Sequence, residues 1–177
     1  MTILFTRTKQ SEDFRATPYL CPTGHVTIGS GCNLEAHPEH LAQWPDIQRQ
    51  VRGGALKGAE LVKELRRVGM AWTEAHADEV LRQQLDALTA VLTTVALPWL
   101  RDVDEARRGV VIEMAFQMGI GGLLKFKRFL TALRAGDYAT AADEMMDSKW
   151  ADQVGDGWGG RLDRAELLAK IIRTGAV

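Results

Sequence analysis

The sequence predicts an α+β protein, predominantly α-helical, and three observations carry that expectation. Residues 19–32 are short, β-branched and Gly-punctuated, the texture of a small β-hairpin. From Thr73 onward apolar residues recur at spacings of three and four, the period of helices that bury one face. The chain has 177 residues, 46% of them hydrophobic, and so can build a core without disulfides or metal.

Each element has a local reason. The first ten residues are weakly amphipathic and read as a short helix with Glu12 at its end. Pro22-Thr23-Gly24 supplies a turn. The alternation His25-Val26-Thr27-Ile28-Gly29 predicts a strand with one buried face. After a polar, Pro-bearing loop over residues 35–45 the pattern is helical throughout. Thr73 is placed to cap a long amphipathic helix over about residues 74–92, with Ala77, Leu81, Leu85, Leu88 and Leu92 as its stripe and Pro98 beyond its end. Asp102 and Glu105 have capping-box spacing ahead of residues 110–116, a run so apolar that it belongs at the centre of a bundle. Three more stripes follow: Leu123, Phe126, Phe129, Leu130 and Leu133 before Gly136; Tyr138, Ala141, Ala142, Met145 and Met146; and Leu167, Leu168, Ile171 and Ile172. The expected organisation is one domain over residues 1–177: a lobe over 12–72 carrying the hairpin of about 19–32, a connecting helix of about 74–92, and a helical lobe of about 94–177.

The charge balance excludes some partners. With 22 basic and 23 acidic residues there is no single-sign field of the kind that binds nucleic acid. The N-terminal apolar stretch is too short for a signal-peptide core, and no apolar run reaches the roughly 20 residues of a membrane span, so a protein made and kept in the cytoplasm is expected. Cys21 and Cys32 suit two free thiols in a reducing compartment. Glu35, His37, Glu39 and His40 have metal-ligand chemistry, but Pro38 spoils a helical arrangement and no third cluster accompanies them, so a solvated loop and no metal are expected. Asp152 and Asp156-Gly157 lack the spacing and terminal Glu of a calcium loop. Residues 155–160, Gly-rich but without nucleotide-motif spacing, read as a flexible connection.

The chemistry is concentrated in residues 12–31, where an acid at the end of a helix precedes a hairpin whose polar face carries Cys21 and Thr27. Folding back of that hairpin can gather all three around one cleft. Glu12, then eight residues, Cys21, then five residues, Thr27 resembles the signature of the phage lysozymes, in which the second position is Asp or Cys. Tyr19, Gly24, Ile28, Gly29 and Gly31 also fall where that family has the same residues. Residues 111–119, ending Phe116-Gln117-Met118-Gly119, are similar to its central core helix. Ser148-Lys149-Trp150, Arg164-Ala165 and Arg173-Thr174-Gly175 extend the resemblance in the right order to near the C-terminus. Asp13 stands where Gly usually follows the acid, Cys32 where the family often has His, and the segment before Thr73 is longer.

The resemblance implies a lysozyme-like fold and hydrolysis of the β-1,4 bond between N-acetylmuramic acid and N-acetylglucosamine in peptidoglycan, with inversion and host-cell lysis. Glu12 then donates the proton to the leaving oxygen, which requires a carboxyl that stays protonated near neutral pH. Cys21 positions or deprotonates the attacking water, and Thr27 shares in holding it. Gln117 and Trp150 become substrate-binding candidates, and Arg164 a residue that sets the ionisation of Glu12. No cofactor is implied. The expected partners are glycan strands and a membrane-pore protein, or holin, that releases a monomeric enzyme from the host cytoplasm to the periplasm or wall. Two alternatives stand beside this: a non-catalytic peptidoglycan-binding structural relative from a phage, and a lytic transglycosylase.

Overall fold

The computed structural model describes residues 2–154 and 164–176. Residues 155–160, read above as a connection, and the Asp156-Gly157 step lie outside them. The fold is mixed and predominantly helical, with a small N-terminal sheet and a helical C-terminal part. The chain divides into two compact units, one over Phe5–Gln84 and the other over Leu85–Val177 together with Met1–Leu4.

The first unit contains most of α1 (Thr2–Ser11) and an antiparallel sheet of three strands in the order β1 (Arg15–Leu20), β2 (Val26–Gly29), β3 (Cys32–Asn33). Two expectations are corrected. The sheet starts at Arg15 rather than Tyr19 and gains a third strand of two residues. β1 pairs Arg15 with Gly29 and Tyr19 with Thr27, and the register is irregular between them, where Thr17-Pro18 falls. Proline has no N–H to give a ladder, and an edge strand tolerates that with a local slip. Secondly, β2 is buried on both faces. Val26 and Ile28 enter a core with Leu34, Leu41, Leu61 and Leu65, while Gly29 on the other face lies against Trp72, whose ring leaves no room for a Cβ.

The loop after β3 is tethered rather than merely solvated. Glu35 accepts the Gly58 N–H at 2.8 Å with one oxygen and pairs with His25 Nδ1 at 3.0 Å with the other. A 3₁₀ turn (Pro38–Leu41), α2 (Pro45–Arg52) and α3 (Gly58–Arg67) follow, burying Leu41, Ile47, Val51, Leu61 and Leu65. The N–H of Trp72 donates to the Ala16 carbonyl at 2.8 Å, and Arg66 Nε to the Pro18 carbonyl at 3.0 Å, so the outer edge of β1 is partly closed.

α4 (Glu74–Val91) begins as expected at Thr73, whose hydroxyl accepts the His76 N–H at 3.2 Å. It ends in a wide turn over Leu92–Ala96, closed by the Leu97 N–H on the Leu92 carbonyl at 2.7 Å. The cap of α5 (Glu105–Leu123) is Asp104, not Asp102: its carboxylate accepts the Arg107 N–H at 3.0 Å. Asp102 is spent on the 3₁₀ turn Pro98–Asp102, and the extended Val103 after it puts Asp104 at the helix start.

α5 is buried along residues 110–115, including Glu113, and breaks at Gly119, whose φ of 74° is open to glycine without strain. Leu123 therefore ends α5 rather than starting the next stripe. α6 (Lys127–Arg134), α7 (Tyr138–Met146, capped by Asp137) and α9 (Arg164–Thr174) complete the packing, with α9 against α7 and α5. The short α8 (Lys149–Val154) was not foreseen, since six residues carry too little periodicity to be read. Among the described residues no single helix is long and apolar enough to cross a membrane.

Candidate active site

Glu12, Cys21 and Thr27 all lie in the first unit. Glu12 is the first residue after α1, with its N–H on the Thr8 carbonyl at 3.1 Å and its side chain half-buried. Among the described residues no non-glycine has a positive φ, so Asp13 accommodates its Cβ without strain.

Cys21 is held by the turn that joins β1 to β2. The Gly24 N–H donates to the Cys21 carbonyl at 2.8 Å, and the Cys21 N–H donates to the His25 carbonyl at 2.9 Å. Pro22 fixes the first corner, and Gly24, at φ 84°, closes the turn onto β2. The Cys21 side chain is thereby folded over its own turn. Its Sγ lies 3.0 Å from Thr23 Oγ1, within hydrogen-bond reach. Partial burial pushes this thiol up, but the polar groups of Thr23, His25 and Thr27 around it outweigh that and bring it down to about 7.

Thr27 is 4% exposed, and its hydroxyl donates to the His25 carbonyl at 3.3 Å. Tyr19 is its partner across the sheet. Burial raises the Tyr19 phenol; Arg15 opposes that, and the nearby negative charges of Glu12 and Cys21 add to it. The Arg15 guanidinium sits 4.3 Å above the Tyr19 ring. Tyr19, Arg15 and Thr23 were not among the sequence candidates. Register with Thr27 and position in the turn are the signals that point to them.

Cys32 is the opposite case. It is 2% exposed in the core, receives the Gln84 amide at 3.4 Å, and burial pushes its thiol up to about 12 against that bond. Both cysteines are free.

The remaining candidates lie in the second unit. Trp150 is 6% exposed and donates its indole N–H to Gln117 Oε1 at 2.9 Å, whereas Gln117 Nε2 is buried with no partner among the described residues. Arg164 meets the buried Glu113 carboxylate through Nε at 3.1 Å and Nη2 at 3.0 Å, joining α9 to α5.

The first unit thus places an acid at a helix end and, on the hairpin that follows, a sulfur and a hydroxyl. Residues 9–166 match the phage lysozyme family, and the chain belongs to it. Over 169 residues it is 38% identical to the pre-baseplate central spike protein Gp5 of Enterobacteria phage T4, covering 94% of this chain and 27% of that protein. Over 171 residues it is 31% identical to the probable T4-type lysozyme 1 of Dictyostelium discoideum, covering 96% of this chain and 92% of that one. The chain thus spans about a quarter of the spike protein and nearly all of the other relative.

Proposed function

We propose that the chain is a muramidase that hydrolyses the β-1,4 glycosidic bond between N-acetylmuramic acid and N-acetylglucosamine in peptidoglycan, with inversion. The observation that supports this reading is that the hairpin of this phage lysozyme family member pairs Thr27 with Tyr19 and carries Cys21 in the turn between them. Glu12 gives its proton to the leaving oxygen as positive charge builds at the anomeric carbon. Its place at the C-terminal end of α1, where carbonyls point outward, is one where negative charge is disfavoured. Water enters from the other face, held by Thr27 and Cys21; the Cys21 sulfur takes its proton, and the hydroxide completes the bond. A sulfur that titrates near neutrality is a fit base for this step.

Glycan strands are the proposed substrate. Cytoplasmic synthesis with release by a membrane-pore partner is the accompanying proposal for its biology, with the enzyme acting as a monomer. The test is the first product formed from purified peptidoglycan, read by NMR within minutes. New reducing ends at N-acetylmuramic acid in the α configuration are expected; β products would indicate retention, and anhydro-sugar ends a transglycosylase.

The likeness to a spike protein favours one second reading, a glycan-binding module of a larger phage assembly that lacks the chemistry. In that case purified peptidoglycan is bound and no ends of either kind appear.

A further inference from the structure

We infer that Thr23 is a positioning residue of the water-activating group: its hydroxyl, fixed by the Pro22 turn, holds the Cys21 sulfur as an anion aimed out of the turn. The inference rests on the reading of Cys21 as the base. The geometry carries it. Cys21 occupies the first position of a tight turn, the place where a side chain with an acceptor atom folds back onto the N–H two residues later. In this chain that acceptor is sulfur, and the backbone groups of Thr23 and His25 favour its anion. Sulfur is larger and softer than a carboxylate oxygen, and backbone donors alone hold a thiolate loosely. Thr23 Oγ1 at 3.0 Å adds a charge-assisted bond from the same turn.

Two features of the sequence make the hydroxyl reliable. Pro22 pins φ at the corner before it, and Gly24, at φ 84°, ends the turn directly after it, so residue 23 has little freedom to swing away. Among ionisable groups Tyr19 on β1 is coupled to Cys21, and Tyr19 in turn to Glu12 and Asp13; the Arg15 guanidinium lies above the Tyr19 ring, and His25 Nδ1 pairs with Glu35. Stabilisation of the anion is therefore by hydrogen bonds, and Thr23 contributes the side-chain bond that no other reading of the site requires.

The experiment measures the rate of iodoacetamide alkylation of Cys21 against pH, by intact mass, in the full chain. Cys32 is buried and serves as the silent control, with Cys32→Ala as a check. Thr23→Val is expected to move the alkylation midpoint up by roughly one pH unit, about a tenfold loss of anion below the midpoint, and Thr23→Ser to restore it. The lower limb of the kcat/KM profile on peptidoglycan should move with it, with KM unchanged. An unmoved alkylation midpoint in Thr23→Val overturns the inference while leaving hydrolysis by the wild type untouched. A midpoint that moves without the kcat/KM limb also overturns it and removes Cys21 from the base role. A wild type with no hydrolysis at any pH overturns the underlying reading as well.

Discussion

A sulfur at position 21 gives the site a different pH response from a carboxylate. With Cys21 as the proposed base, its anion is expected above about pH 7 and is lost as pH falls through that value. Activity of the wild type is therefore expected to rise with a midpoint near pH 7 on its acidic side. In Cys21→Asp that midpoint should move to lower pH, since carboxylates ionise at about 4. Cys21→Ala should lose roughly 10²-fold, the scale of a missing base or water-holding group. Rates against pH for the three proteins check this, and an unchanged profile in Cys21→Asp would remove the sulfur from the titrating role. Glu12, Cys21 and Thr27 are candidates on their spacing along the chain, which matches the family signature. Thr23 and Tyr19 join them only through the turn at Pro22 and the pairing of Tyr19 with Thr27, which no spacing expresses.

At the scale of elements, periodicity located the helices where one face alone is buried and failed where an element was very short or where a neighbour set its ends. α4 and its Thr73 cap are of the first kind. β3, with two residues, and α8, with six, are of the second. The start of α5 slipped from Asp102 to Asp104 because a 3₁₀ turn consumed the first carboxylate. Arg164, the candidate for setting the ionisation of Glu12, joins α9 to α5 through the buried Glu113. Removing Arg164 takes two charge-assisted contacts from a fully buried carboxylate, so Arg164→Met is expected to destabilise the protein by about 3 kcal/mol. Urea unfolding would measure it, and adding Glu113→Gln should recover part of the loss. A cost below about 1 kcal/mol would mean that the pair behaves like an exposed one.

For the whole molecule, the division into a sheet-bearing unit and a helical unit puts Glu12, Cys21 and Thr27 within one stretch of fewer than 20 residues, on one compact unit. The three candidate residues are thereby tied to a single hairpin and the helix before it, and the core behind the hairpin keeps that geometry. Val26 and Ile28 are buried to 0% exposure beside Thr27, so the strand that carries the hydroxyl has no freedom to slip in register. The central claim is that Glu12 supplies the proton for glycosidic cleavage. It is tested most directly by the release of reducing ends from purified peptidoglycan, comparing the wild type with Glu12→Gln at equal amounts of folded protein. The account predicts steady release by the wild type and none above background for Glu12→Gln, whose amide has no proton to give; release by Glu12→Gln within a few-fold of the wild type would contradict it.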